Sequence, residues 1–189
     1  DEARAGRWVS GTFGWWWRYE DGSYPTSTQL RIDGAIYRFN ARGYMVTGWV
    51  YEDGQWYYYG ASGGQSAGWV RVHGTWYYLD PLTGAMASGW TKVQGTWYYL
   101  SSSGAMRTGW MRDGSAWYYL TSSGALATGW QRVGSSWYYL SPDGGAMVTG
   151  WLRDGDAWYY LTSSGAMATG SRWIDGTRYA FDDEGRLMP

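Results

Sequence analysis

The stretch Gly-Trp-Met-Arg-Asp-Gly-Ser-Ala-Trp-Tyr-Tyr-Leu-Thr-Ser-Ser-Gly, residues 109–124, recurs along the chain. Six copies follow one another in steps of 20 or 21 residues, and in each a second Trp stands seven residues after the first and opens a Trp-Tyr-Tyr triplet. The extra residue of the longer copies lies in the Ser/Thr/Gly-rich segment after the triplet, which indicates that this segment is a connection. A period of this length is typical of proteins that stack one small unit. The copies begin at Gly48, Gly68, Gly89, Gly109, Gly129 and Gly150.

Each copy predicts a β-hairpin, because two turn-forming residues lie midway between its two Trp. Three copies place Gly second in this pair, as type I′ turns do, and three place Gly first, as type II′ turns require. Both are two-residue loops, so the strand register is the same in all six copies. The pairs are Asp53-Gly54, His73-Gly74 and Gln94-Gly95 in the first group, and Gly114-Ser115, Gly134-Ser135 and Gly155-Asp156 in the second.

This register assigns the side chains to two faces, because neighbouring residues of a strand point to opposite sides. In the first copy one face carries Trp49, Trp56 and Tyr58, and the other carries residues 50, 57 and 59, a Val and two Tyr. A two-stranded hairpin alone is marginal in water, so the copies must stack and bury the mixed face in a shared core. The sequence predicts an all-β fold, a β-solenoid of stacked two-stranded β-hairpins with one hairpin per repeat of about 20 residues.

The ends of the chain depart from the repeat, as capping units of a solenoid do. Residues 1–27 are expected to form an irregular, aromatic-rich first repeat. Residues 28–189 are tandem repeats, of which 28–47 are degenerate, 48–169 are six regular units and 170–189 are a degenerate cap. In the degenerate units Arg38 and Ala180 replace the second Tyr of the triplet. We expect the whole chain to be one elongated binding module.

Composition excludes several classes of protein. The absence of Cys excludes disulfides and thiolate metal sites, and a net charge of −1 argues against nucleic-acid binding. No run of 18 apolar residues exists to span a membrane, and the absence of an apolar segment at the N-terminus leads us to expect that any signal peptide has been removed. The single His, His73, lies at a hairpin tip, and the carboxylates cluster at turns, so we expect no enzyme, cofactor or metal site in this chain.

The 39 aromatic residues outnumber the 21 Val, Ile and Leu, which suggests that the rings of the aromatic face have a use beyond packing. That face carries no carboxylate at a fixed position of the repeat, and neutral electron-rich rings suit a quaternary ammonium ion. Flat rings also stack on sugars, so a carbohydrate is the competing ligand. A third interpretation is that the rings only pack against one another.

The repeats resemble choline-binding, or cell-wall-binding, repeats of surface proteins and lytic enzymes of Gram-positive bacteria and their phages. Gly-Trp, the hairpin Gly, Trp-Tyr-Tyr-Leu and Gly-Ala-Met recur in the order typical of that family. The resemblance covers residues 28–189 well, and residues 7–27 are similar to a longer first repeat found in such modules. It implies a hairpin solenoid that holds choline between consecutive units.

The resemblance also implies the site residues, since a family site takes two Trp from one hairpin and a Tyr from the next. The second Tyr of the triplet lies on the Trp face in the register above and is carried over as that Tyr. The five sets are Trp49, Trp56 and Tyr78; Trp69, Trp76 and Tyr99; Trp90, Trp97 and Tyr119; Trp110, Trp117 and Tyr139; and Trp130, Trp137 and Tyr160. A sixth pair, Trp151 and Trp158, meets Ala180 where its Tyr is expected and is not counted. Met86, Met106 and Met147 are candidates either for site walls or for the core.

The partner implied by the resemblance is choline or phosphocholine on teichoic or lipoteichoic acid, bound with avidity by a secreted, cell-wall-associated module without catalytic activity. Dimerisation is a further possibility that relatives suggest. The alternative function is a glycan-binding module, for α-glucans or host glycans, in a surface protein or toxin. Retention on dextran or amylose without competition by choline distinguishes this alternative.

Overall fold

The computed structural model describes residues 2–189, which form nine antiparallel β-hairpins and no helix. Each odd-numbered strand pairs with the strand that follows it. The strands are β1 (Gly6–Gly11), β2 (Gly14–Tyr19), β3 (Thr28–Ile32), β4 (Ala35–Phe39), β5 (Gly48–Glu52), β6 (Gln55–Tyr59), β7 (Gly68–Val72), β8 (Thr75–Leu79), β9 (Gly89–Val93), β10 (Thr96–Leu100), β11 (Gly109–Asp113), β12 (Ala116–Leu120), β13 (Gly129–Val133), β14 (Ser136–Leu140), β15 (Gly150–Asp154), β16 (Ala157–Leu161), β17 (Gly170–Ile174) and β18 (Thr177–Phe181).

The hairpin register predicted from the sequence is confirmed. Trp49 lies opposite Tyr58, and Trp110 lies opposite Tyr119 in the equivalent pair of the later hairpin. Asp53 and Gly54 both have positive φ, at 50° and 79°, as a type I′ turn requires. Gly114 supplies the positive φ of 57° that a type II′ turn needs at its first position. Two kinds of turn therefore give one register.

The first and last hairpins have the same layout as the regular ones. In β1 and β2, Trp8 lies opposite Trp17 and Ser10 lies opposite Trp15. Trp8 therefore occupies the position of Trp49, and Trp15 that of Trp56. In β17 and β18, the position of the second Tyr is taken by Ala180, which lies opposite Ser171.

The most deeply buried part of the core includes the last residue of the second strand in each hairpin from β4 onward. Leu79 and Leu120 are fully buried, and each lies opposite the Gly that starts the first strand of its hairpin. Burying a Leu side chain stabilises the fold by about 2 kcal/mol. The row consists of Phe39, Tyr59, Leu79, Leu100, Leu120, Leu140, Leu161 and Phe181. These residues lie on the mixed face that the sequence assigned to the core, but the first Tyr of the triplet on the same face, such as Tyr77, is only partly buried.

Backbone hydrogen bonds from the connections join each hairpin to the preceding one. In the connection after β8, the N–H of Ala87 donates to the carbonyl of Tyr78, and the N–H of Met86 donates to the carbonyl of Trp56 in the preceding hairpin, both at 2.8 Å. Leu126 donates to Trp97 in the same way. These bonds complete hairpin edges that would otherwise be unpaired.

The chain divides into two compact units. One holds the residues up to Gly89 together with Leu100–Met106, and the other holds Trp90–Tyr99 together with Arg107–Pro189. That the chain is one elongated module stays a prediction. No helix in the described part of the chain has the length and apolar character of a membrane span.

Candidate functional site

A cavity of about 350 Å³ in the second unit lies between two consecutive hairpins. Trp110 comes from β11, Trp117 from β12 and Tyr138 from β14 of the next hairpin. The Trp110 and Tyr138 ring centroids are 4.8 Å apart, with the planes at 67°. Met147, in the connection after β14, forms a further wall, and Ser163 and Ser164 line the rim.

The first unit contains a cavity of the same design, about 290 Å³ in volume, lined by Trp49, Trp56, Tyr77, Met86 and Ser103. The planes of Trp49 and Trp56 are at 87° with centroids 6.4 Å apart, so the two indoles form adjoining walls. Tyr77 closes a third side, 4.8 Å from Trp49. Trp56 remains 43% exposed, so the box is open to solvent on one side.

The same contact between the first Trp of one hairpin and a Tyr of the next recurs elsewhere in the second unit. The pairs are Trp90 with Tyr118 at 5.0 Å, Trp130 with Tyr159 at 4.9 Å and Trp151 with Tyr179 at 4.8 Å. The arrangement therefore repeats with the hairpins.

In the sets that lie within one unit, the Tyr that meets the first Trp is the first of the following triplet, not the second as the sequence predicted. Consecutive hairpins stack with opposite faces together, so only a Tyr from the core-side face, such as Tyr77, can reach the preceding Trp49. The second Tyr stays on the Trp face of its own hairpin. Tyr78, Tyr99, Tyr119, Tyr139 and Tyr160 accordingly pack on Trp69, Trp90, Trp110, Trp130 and Trp151 of their own hairpins, at 5.1 to 5.2 Å.

This stacking also changes the status of the pair Trp151 and Trp158, which the sequence left out because of Ala180. The two rings are 6.4 Å apart at 83°, and Tyr179, not residue 180, supplies the third ring. Trp69 and Trp76 have the same perpendicular arrangement at 6.4 Å. The Tyr99 predicted to join them belongs to the other unit, and that set stays a prediction.

Sequence reasoning missed a cavity at the N-terminal end. Trp8, Trp15, Tyr37 and Met45 line it together with Ala61 and Ser62, and its volume is about 430 Å³. Trp8 lies 4.8 Å from Tyr37 of the next hairpin. The available signal was the spacing of seven residues between Trp8 and Trp15, which is the spacing of the regular repeats.

The Met side chains reach the cavities because their backbone is held beside the second Trp. Met86 and Met147 line the cavities, and their N–H groups donate to the carbonyls of Trp56 and Trp117. Met106 makes the same backbone bond to Trp76, at 2.8 Å. A Cβ on Gly104 would overlap the thioether of Met86, so a larger residue at that position of the next connection would displace Met86.

Two of the aromatic sets carry a charge that the sequence did not predict. Asp113 and Asp154 each accept a hydrogen bond from an indole N–H of the preceding hairpin, Trp90 and Trp130 respectively, at 2.9 Å.

Elsewhere, burial raises the pKa of Tyr59, whose hydroxyl accepts a hydrogen bond from Gln29, but Tyr59 belongs to the core row. Among residues 2–189 no cluster of three His, Asp or Glu side chains is arranged to hold a metal ion.

Perpendicular indoles with a phenol and a thioether make an apolar box with electron-rich faces. Such a box binds a compact cation that carries no hydrogen-bond donors, with roughly 0.5–2 kcal/mol per ring contact. Aromatic faces beside Ser hydroxyls are also compatible with sugar stacking.

Comparison with known proteins identifies related repeats. The profile of the choline-binding repeat matches residues 26–67, 53–89, 87–128 and 127–169. A comparison with curated protein sequences finds no match.

Similar solved structures include three from Streptococcus pneumoniae. CbpJ is 38% identical, with a TM-score of 0.80 over 93% of this chain and 62% of CbpJ. Choline binding protein F, crystallised in the presence of a peptidoglycan analogue, is 37% identical, with a TM-score of 0.80 over 93% of this chain and 61% of its own. The modular autolysin LytC is 34% identical, with a TM-score of 0.70 over 97% of this chain and 42% of LytC.

Proposed function

Because the chain belongs to the choline-binding repeat family, we propose that it is an attachment module whose aromatic boxes each hold one choline group. The observation that carries this proposal is the convergence of Trp49, Trp56 and Tyr77, from two hairpins, on one open cavity. The trimethylammonium group would lie against the ring faces, with Met86 as the apolar floor. All three rings are neutral, and their faces are electron-rich. The faces therefore attract a cation, and the rings carry no charge that would repel its counterion.

The box has the strength expected of a weak site. Three ring contacts at roughly 0.5–2 kcal/mol each, reduced by the cost of immobilising the ligand, give about −4 kcal/mol, a dissociation constant near 1 mM. One such site would not retain a protein on a surface. Several sites that bind choline groups of one polymer raise the overall affinity by two to four orders of magnitude through effective concentration.

The partner that fits this mechanism is a polymer with many choline or phosphocholine groups, such as teichoic or lipoteichoic acid at a bacterial cell wall. The similar structures are those of pneumococcal choline-binding proteins, which supports a location at the cell wall. The chain spans about three fifths of the length of the first two relatives, CbpJ and choline binding protein F. The module itself is proposed to bind and not to catalyse.

A titration followed by Trp fluorescence tests the proposal. Choline is added to about 50 mM, well above the expected dissociation constant, with sodium chloride as the control for ionic strength. A saturable change and a higher melting temperature are expected, because a ligand that binds only the folded state stabilises it. The absence of both would contradict choline binding.

Retention on matrices separates choline from the competing glycan function. The module should remain on a resin of immobilised choline and elute with free choline at millimolar concentration. Retention on dextran or amylose that free choline does not reverse would favour the glycan-binding alternative instead.

A further inference from the structure

The last residue before each hairpin turn lies on the face that meets the preceding hairpin, and in three hairpins it is a carboxylate. Asp113 Oδ2 accepts the Nε1–H of Trp90, and Asp154 Oδ2 accepts the Nε1–H of Trp130, both at 2.9 Å. Glu52 reaches the preceding hairpin as well and pairs with Arg38 at 2.6 Å, where Arg38 replaces the second Tyr of its triplet. This position thus contacts the neighbouring hairpin whether or not a Trp is there.

Other hairpins carry an aliphatic residue at the same position. Val72 follows the Trp49 set, and Val133 follows the Trp110 set. The Trp110 and Trp130 sets, which belong to one unit, consequently present the same ring types but differ by one negative charge at this position.

From these contacts we propose that Asp113 and Asp154 make the Trp90 and Trp130 sets a second class of site, which binds a quaternary ammonium ion more tightly and with a stronger dependence on salt. This inference rests on the proposed function. The ligand class is the same as in the proposed function. The new statement is that the sites differ in affinity, and that the Trp90 and Trp130 sets are the two tighter ones.

The geometry lets the carboxylate and the cation act on one indole together. The N–H donates in the plane of the ring, which leaves the ring face free for the cation. A hydrogen bond to an ionised acceptor is about twice as strong as a neutral one and holds the Trp ring in place. The carboxylate also lies within about 6 Å of a cation on that ring. Because Asp113 and Asp154 are exposed, the effective dielectric constant is about 40–80, and the attraction corresponds to a roughly three- to tenfold lower dissociation constant at low salt.

Sets with and without the carboxylate both carry a basic residue beside the second Trp, for example Arg132 opposite Trp137 and Arg112 opposite Trp117. Lys92 Nζ lies 5.7 Å from the ring centroid of Trp97, where it repels a second cation. Asp113 offsets that charge. Replacing Asp113 by a neutral residue therefore leaves the repulsion by Lys92 unopposed.

Calorimetric titration of the full chain with choline chloride tests the inference, at about 20 mM and about 500 mM sodium chloride, since the higher concentration shortens the screening length severalfold. The wild-type isotherm should show a tighter class of two sites, which merges with the weaker class at high salt. The double variant Asp113→Asn with Asp154→Asn keeps an acceptor for each indole and removes the charge. It should lose the tighter class, with a three- to tenfold higher dissociation constant for those two sites.

The control variant is Glu20→Gln with Asp53→Asn, which removes the same charge from exposed residues of the first unit, whereas both sets belong to the second unit, and it should leave both classes intact. The gain variant Val133→Asp should add one site to the tighter class, after circular dichroism has shown that it is folded. An unchanged isotherm in the Asp113/Asp154 double variant would overturn the inference. A wild type that does not bind choline at all would overturn the proposed function itself. The wild-type titration is therefore completed before any variant is made.

Discussion

The indole of Trp151 packs against the phenol of Tyr179 with centroids 4.8 Å apart and planes at 74°. Tyr179 stands in a triplet whose second Tyr is replaced by Ala180, so the last hairpin still supplies the one ring that its predecessor needs. A degenerate repeat thus completes a neighbouring set even though Ser171 and Arg178 occupy the positions of its own two Trp.

This contact predicts which residue of the last hairpin matters for binding. Tyr179→Ala should lower the number of choline sites in a calorimetric titration by one, because Trp151 and Trp158 lose their third ring. Ala180→Tyr should leave the number unchanged, since residue 180 lies on the face turned away from Trp151. If Ala180→Tyr adds a site and Tyr179→Ala removes none, the assignment of the first Tyr is wrong.

The N-terminal cavity predicts a site that the regular repeats do not include. Trp15→Ala should remove one choline site and leave the melting temperature within a few degrees of wild type, because Trp15 is half exposed and its loss leaves only a small void. Phe13→Ala is the matched control, since Phe13 is an exposed aromatic of the same hairpin that does not line the cavity. Equal numbers of sites in the Trp15 variant and in wild type would argue against this cavity.

Two substitutions in strand β12 should have different effects, one mainly on binding and the other mainly on stability. Trp117→Ala should weaken binding at its site by roughly tenfold, with a stability change of about 1 kcal/mol or less, because its ring is 43% exposed. Leu120→Ala should lower the free energy of unfolding by about 2–5 kcal/mol, because Leu120 is fully buried.

Urea unfolding and choline titration of both variants check this prediction. Global unfolding of the Trp117 variant would support the alternative in which the rings serve only to pack the hairpins together.

Gly104 predicts a coupling between one connection and a cavity of the first unit. Gly104→Ala and Gly74→Ala both place a side chain at positive φ, 80° and 88°, which costs about 1–2 kcal/mol each. Only the Cβ at position 104 meets Met86, which must then move away from the wall that it forms beside Trp49. Gly104→Ala should therefore weaken one choline site severalfold, whereas Gly74→Ala should lower stability alone; equal binding in the two variants would contradict the coupling.

The sequence alone determined the hairpins, their register and their turn types. These features are local: a two-residue loop such as Asp53-Gly54 fixes which residues face each other, and the alternation of side chains then assigns Trp49 and Val50 to opposite faces. The family followed from the order of the motifs along the chain. The first site could also have been found locally, from the spacing of Trp8 and Trp15.

Only the tertiary structure decided which residues of neighbouring hairpins meet. The choice of Tyr77 over Tyr78, and the bond between Asp113 and Trp90, depend on stacking that brings opposite faces of successive hairpins together. Residue spacing within one hairpin is the same whichever face its neighbour contacts. The register of a hairpin is thus set by its own few residues, whereas the composition of each box is set by how two hairpins pack.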